Sequence, residues 1–270
     1  MTRQPVIASL GAVHHPTLVL LHGFMGSGHD WLQTARLLSD RYHCLMPDLP
    51  GHAGQSLSAD LNFEEYCERL WQQLAPALPP HVGLAGYSMG GRIAAWLAIR
   101  HPERIAVLLL EGAHPGLNSE TERLARRRHD EAWARRLEQE PWPRVLEDWY
   151  QQPVFADLSP AQRDAFVQAR SCQNPMTLAR VLRAAGLSGQ PDLRPGLAGL
   201  TCARAFIAGT RDTKFSALGQ GLTHACPGLE LVKLDGLGHN CHAQAPEQVA
   251  AVMRRLCHPM HFTQTSTASS

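Results

Sequence analysis

Ser88 stands in the pentapeptide Gly86-Tyr87-Ser88-Met89-Gly90, at the end of the apolar run VGLAGYS. A serine hydroxyl is inert until a histidine takes its proton and an acid holds that imidazole in one tautomer. Both partners are on offer at the ends of later apolar runs. Asp212 closes ARAFIAGTRD, and His239 follows LELVKLDGLG. His242, one helical turn beyond, is a rival base. Asp48 in PDLPGHAGQS is a rival acid, whose other reading is to organise its own loop. Three such residues, each at a strand end, suit a serine used as a nucleophile.

Arg92 is the less ordinary residue. Ser88 and Arg92 are spaced i and i+4, so they share one helix face about a turn apart. The face that carries Ser88 points at a pocket. An arginine fork there could bind a carboxylate through two nitrogens. The bland alternative is a bridge from Arg92 to an acid at a domain seam.

The elements that must hold these residues follow from patterning. TLVLLHG, HCLMPD, VGLAGYS and IAVLLLEG are short apolar runs bounded by turn residues and read as buried strands. DWLQTARLLSD, FEEYCERLWQQLAPAL and MGGRIAAWLAIRHP between them are amphipathic. Alternation of this kind predicts a mostly parallel sheet with helices on both faces. From about Pro115 to Leu193 no strand pattern appears, and helical runs open at Ser, Asn or Pro start signals. Strand patterns then return at Ala203–Asp212 and Leu229–His239.

The expected division is therefore a core of residues 1–114 and 194–258, a helical cap over 115–193 inserted before the last two strands, and a polar, disordered tail over 259–270. The chain order Ser, Asp, His with a strand–turn–helix around G-x-S-x-G is that of the α/β-hydrolase fold. In that fold the loop LHGFMGSG supplies one oxyanion-hole N–H, here Phe24, and Met89 supplies the other.

Composition excludes several classes. A formal charge of +1 over 270 residues gives no bulk attraction to nucleic acid or a membrane surface. The N-terminal stretch lacks the apolar core of a signal peptide, and no apolar run reaches membrane-spanning length. Seven scattered cysteines without a CxxC pair point to free thiols and a cytoplasmic setting. Fifteen histidines include His239/His242 and His14/His15, but no set of metal ligands at usable spacing, so no metal site is expected.

Several longer motifs carry a family resemblance over nearly the whole chain: GYSMGGRIA, EGAHPGL, DWYQQPVFA, QPDLR and GTRDTKF. In these the chain resembles the 2-succinyl-6-hydroxy-2,4-cyclohexadiene-1-carboxylate synthases of menaquinone biosynthesis. It departs mildly, with Ala53 where glycine is commoner, variation after Arg170-Ser171, and additional residues after Cys257.

The resemblance implies a lyase, not a hydrolase. It would remove a ring proton from 2-succinyl-5-enolpyruvyl-6-hydroxy-3-cyclohexene-1-carboxylate and eliminate pyruvate, with no cofactor. Ser88, activated by His239 and Asp212, would serve as the base. Arg92, Arg126 and Arg170 match the family's anion-binding arginines, and Tyr87 and Trp149 its aromatic pocket residues. Without the resemblance, Arg126 is one of six arginines in a basic helix, Arg170 is a helix-end cation, and Trp149 is a core residue. The partner implied is a small polycarboxylate. Oligomeric state is not legible. Two other readings stand beside the lyase: a carboxylesterase or C–C bond hydrolase for an acidic substrate, and a non-enzymatic ligand receptor on the same fold.

Overall fold

The structure is a computed structural model that describes residues 7–57, 60–258 and 262. The proposed disordered tail, apart from Phe262, lies outside the described residues. In chain order the elements are β1 (Ile7–Leu10), β2 (Thr17–Leu21), α1 (Leu32–Leu38), β3 (His43–Pro47), α2 (Phe63–Leu74), β4 (Val82–Tyr87), α3 (Met89–Arg100) and β5 (Ile105–Glu111). Then come α4 (Glu120–Gln139), α5 (Trp142–Trp149), α6 (Pro160–Arg170), α7 (Pro175–Ala185) and α8 (Arg194–Gly199). The chain closes with β6 (Ala203–Gly209), α9 (Thr213–Ala225), β7 (Leu229–Leu234), α10 (Cys241–Gln244) and α11 (Pro246–Leu256).

The sheet has seven strands in the order β1-β3-β2-β4-β5-β6-β7. All pairings are parallel except β1 with β3. Strand β1 is not visible as a strand in the sequence pattern. It is an edge strand of four residues that are not fully buried, so it lacks the continuous apolar run of its neighbours. The central strands β2 and β4 are buried at every position, as a sheet covered on both faces requires.

Helices α2 and α3 bury Phe63, Tyr66, Leu70, Ile93 and Leu97 on one face of the sheet. Helices α1 and α11 bury Ala35, Leu38, Val249 and Met253 on the other. After β2 the chain steps to β3 on one side, and later to β4 on the other, so the strand order reverses between β2 and β4. The crevice at the carboxyl ends of strands flanking such a reversal is where open α/β sheets bind ligands. Ser88 follows β4, and the Gly23–Gly28 loop follows β2. Topology alone puts them on either side of that crevice.

No strand occurs between β5 and β6. Helices α4 to α7 instead share a separate apolar cluster that includes Leu137, Val145, Leu146, Tyr150 and Leu178. Start signals read from sequence operate as expected: Ser119 and Ser159 close capping boxes with Glu122 and Gln162, and Asn174 caps α7. One core residue, Met25, is buried in this cap cluster. None of the described helices is long and apolar enough to cross a membrane. All seven cysteines are unpaired.

Candidate active site

Ser88 occupies a left-handed backbone conformation, φ 51° and ψ −109°, between β4 and α3. Such a turn needs its neighbours small. A Cβ at Gly86 would lie 2.3 Å from the Gly90 carbonyl oxygen, and one at Gly90 would lie 2.4 Å from the carbonyl oxygens of Leu21 and His22. The Ser88 N–H donates to the Glu111 carbonyl at 2.8 Å, which fixes the elbow to the end of β5.

His239 meets Ser88 from the loop after β7. Its Nε2 is 3.4 Å from Ser88 Oγ, and its Nδ1 is 2.6 Å from Asp212 Oδ2. With Nδ1 protonated toward the carboxylate, Nε2 is free to accept the serine proton. Asp212 is itself oriented: its Oδ1 accepts the Phe215 N–H at 3.1 Å, capping α9. The Phe215 ring packs 4.5 Å from the His239 ring, so the imidazole is held from the side as well.

The rivals are committed elsewhere. His242 is fully buried, stacks on Trp31 at 3.9 Å, and puts Nδ1 2.9 Å from Glu111. Asp48 accepts the Gly28 N–H at 2.8 Å, bracing the loop after β2. Behind that loop, His22 lies with Nδ1 2.7 Å from the Gly23 carbonyl, and its Nε2 accepts the Leu49 N–H at 3.0 Å. Burial pushes the His22 imidazole down to about 3, so it is neutral at physiological pH.

Ser88 opens on a cavity of about 100 Å³. Phe24, Met89, Trp149 and Phe215 line it, together with Arg92, Arg126 and His114. Met89 begins α3, where the first N–H groups have no helical acceptor. Trp149 stands between Phe24 and Trp133, at 5.1 and 5.0 Å. The structure therefore brings Ser88, Phe24, Met89, Arg92, Arg126 and Trp149 to one cavity.

Arg92 does not bridge to an acid. Its terminal nitrogens donate to Gln190 Oε1 at 3.0 Å and to the Ala185 carbonyl at 2.8 Å. It thus ties α3 to the cap while it faces the cavity. Burial, helped by the charge of Arg126, lowers its guanidinium to about 10, which leaves it cationic at neutral pH. Arg126 gives its Nε to Asp130 at 2.7 Å. Its two terminal nitrogens have no hydrogen bond among the described residues, so one edge of the fork is open.

Two residues expected in the pocket do not line this cavity. Arg170 is buried and paired with Asp30 at 2.6 Å, with its guanidinium over the Phe166 ring. Tyr87 is buried beneath the site, 5.2 Å from the His239 ring and 5.0 Å from that of His242. Tyr87 is the last residue of β4, immediately before Ser88, and Arg170 ends a cap helix and is held by Asp30.

Two glutamines beside the site were not singled out from the sequence, although Gln190 opens the QPDLR motif. Gln190 receives Arg92 and donates to the His114 carbonyl at 2.9 Å. Gln244 accepts the Gly238 N–H at 2.8 Å and donates to Asp157 of the cap at 2.7 Å, linking the cap to the His239 loop. Gln244 ends the short helix α10 and Gln190 lies in the loop before α8, and neither position carries a periodicity that announces its partners. Among the described residues no group of three or more His, Cys, Asp or Glu side chains could hold a metal ion.

Residues 18–252 match the alpha/beta hydrolase family. A 2-succinyl-6-hydroxy-2,4-cyclohexadiene-1-carboxylate synthase from Escherichia coli O7:K1 is 39% identical over 241 residues, covering 89% of this chain and 93% of that protein. The chain belongs to that synthase family. The enzyme of the same description from Shigella dysenteriae serotype 1 is also 39% identical, with the same coverage. Among solved structures, MenH from S. aureus superposes with a TM-score of 0.85 at 28% identity, covering 92% of this chain and 96% of that one. A thermophilic esterase from Thermogutta terrifontis superposes with a TM-score of 0.81 at 22% identity, a likeness of fold. It covers 95% of this chain and 94% of that esterase. The synthase family is one of lyases in menaquinone biosynthesis built on the α/β-hydrolase fold, and this chain is an enzyme of that kind.

Proposed function

We propose that the protein removes a ring proton from 2-succinyl-5-enolpyruvyl-6-hydroxy-3-cyclohexene-1-carboxylate and expels pyruvate, with Ser88 as the base. The observation that carries this is the Ser88–His239–Asp212 chain opening on a cavity whose polar wall is arginine. A neutral ester has no use for Arg92 and the open edge of Arg126, whereas a substrate with three carboxylates does.

In this reading His239 takes the Ser88 proton as the serine oxygen takes the ring proton. The C–H electrons form a double bond to the neighbouring ring carbon, the existing ring double bond shifts one position toward the carbon that bears the enolpyruvyl group, and the C–O bond to that group breaks. The enolate released collects a proton and becomes pyruvate. Negative charge building on the substrate's ketone oxygen is met by the N–H groups of Phe24 and Met89. The 3.4 Å Ser88–His239 separation is of the loose kind that tightens once substrate is bound. Elimination is redox neutral and transfers no group to a carrier, so the chemistry calls for no cofactor. Trp149 packs against the ring, Tyr87 supports His239 from below, and Arg170 braces the cap against the core. Residues 115–193 act as a lid over a cytoplasmic enzyme's site.

The test is direct. Supplied with the enolpyruvyl substrate, the protein releases pyruvate in step with the appearance of diene absorbance. A stoichiometric burst with an activated ester, with acyl trapped on Ser88 and no pyruvate formed, would instead establish the esterase reading.

A further inference from the structure

His114 forms part of the wall of the Ser88 cavity, and the same side chain lines a second cavity beside it. The second cavity is open to solvent and has a volume of about 520 Å³. Lys214, Arg194 and Asn118 supply its polar lining, and Leu218 and Leu222 its apolar floor. The Ser88 cavity, at about 100 Å³, falls below the roughly 300–1,000 Å³ of sites that enclose ligands of this size. With the cap in this position, a ring bearing three carboxylate-ended substituents does not fit there whole. An arm that leaves the Ser88 cavity past His114 enters the second one.

The cations around His114 are not equivalent. Arg194 is spent on Asp192, at 3.0 Å, and on the Gly116 carbonyl, at 3.3 Å. Lys214 has no hydrogen bond and no carboxylate within ion-pair distance among the described residues; its ammonium lies 5.6 Å over the Phe215 ring. Burial, then the charge of Arg126, hold it below the usual lysine range. His114 is pushed down to about 3, by burial first and then by Lys214, Arg92, Arg126 and Arg194. The partition between the cavities is thus a neutral imidazole in a positive field.

We propose that the second cavity is the subsite for the carboxylate at the end of the substrate's succinyl arm, with Lys214 as its counter-ion. This rests on the lyase reading above. With the ketone at Phe24 and Met89, the two methylenes pass His114 onto the apolar floor of Leu218 and Leu222. The carboxylate then meets the one cation there that has no protein partner among the described residues.

Two arms test it. The first is turnover of the enolpyruvyl substrate by wild type, Lys214→Met and Lys214→Arg. Lys214→Met raises KM by about tenfold or more with little change in kcat, and Lys214→Arg restores most of the loss. The second needs no turnover. Calorimetry follows β-benzoylpropanoate, which carries an aryl ketone and the same arm, and its neutral amide. The acid binds Lys214→Met about tenfold more weakly than wild type, and the amide binds both alike. Equal binding of the acid to wild type and Lys214→Met overturns the subsite, as does an equal loss for acid and amide. Failure of the wild type to release pyruvate overturns the lyase reading, and the calorimetric arm still decides the subsite.

Discussion

Gln173 donates from its amide nitrogen to the Met25 carbonyl at 3.1 Å, joining the cap to the loop that carries Phe24. The same nitrogen donates to the Gly26 carbonyl at 2.8 Å, and its amide oxygen accepts the Ala53 N–H at 2.8 Å. Met25 and Ala53 are, with Ser88, the non-glycine residues at positive φ among those described, at 65° and 47°. A residue held there costs on the order of 1 kcal/mol and persists only where its surroundings enforce it. One carboxamide therefore holds two strained peptides beside the Phe24 N–H.

Gln173→Ala is expected to lower kcat about tenfold or more, through misplacement of the Phe24 N–H, and to destabilise the fold by about 1–3 kcal/mol through the unpaired backbone groups. Ala53→Gly in the Gln173→Ala background recovers stability, because glycine carries no penalty at that φ, but leaves kcat low. Thermal melts beside steady-state kinetics separate the two. Recovery of kcat along with stability would show that Gln173 acts on folding alone.

Ser88→Ala, His239→Ala and Asp212→Asn should each remain folded and lose about 10²–10⁴-fold in kcat. His242 gives the contrast. Its Nδ1 belongs to Glu111 and its ring to Trp31, so His242→Gln should lower the melting temperature more than it lowers kcat. Near-normal turnover by His239→Ala would move the acceptor of the Ser88 proton to another residue.

Arg126→Ala removes the open fork edge and should cost about 10–100-fold in kcat/KM for the enolpyruvyl substrate. Arg126→Lys should restore part of it, as a point charge does not reproduce the fork. The control is Arg128, exposed on the same helix. Arg123 would be a poor control, because it donates to the Gln190 carbonyl at 2.9 Å and so supports the partner of Arg92. If Arg128→Ala is as damaging as Arg126→Ala, the effect is a diffuse positive field.

Much of this site is legible in sequence because periodicity and chain order encode it. Ser88, Asp212 and His239 each end an apolar run, and parallel strands deliver their carboxyl ends to one crevice. The cap is legible for the same reason: its helices begin at Ser119, Ser159 and Asn174, whose side chains cap them locally. What pattern does not carry is the choice of partner between distant residues. Arg92 could have met an acid and instead meets Gln190. Arg170 has the residue type of an anion receptor but finds Asp30 across 140 positions of chain. Strand β1 escapes because an edge strand with half-exposed residues has no buried run to show.

The Arg170–Asp30 pair makes its own prediction. Side-chain exposures of 8% and 13% leave either partner an uncompensated charge when the other is removed. Arg170→Ala should then destabilise by about 3 kcal/mol, and Asp30→Asn with Arg170→Met should lose less than the two single changes added together. Urea melts of Arg170→Ala, of the two single changes and of the double variant check this. A fully stable Arg170→Ala that has lost only substrate affinity would return Arg170 to the binding site.

Acid should unfold this protein through its buried histidines. Burial lowers His22 to about 3 and holds His52 well below the usual value, the neighbouring His22 adding to the effect. The unfolded chain takes up these protons near the ordinary histidine pKa, about 6.5. The folded protein does not take up the His22 proton until about pH 3. Between those limits the unfolded state binds more protons, so stability is full above about pH 6.5 and falls as pH drops. Each such histidine contributes up to about 1.4 kcal/mol per pH unit to that slope. His22→Asn removes one titrating group while keeping an amide that can donate to the Gly23 carbonyl. Its unfolding free energy, measured by urea melts from pH 7 to pH 4, should start lower than wild type and fall less steeply, by close to one proton's worth. An unchanged slope would mean that His22 is protonated in the folded protein well above pH 3, and that the Leu49 N–H is not what its Nε2 accepts.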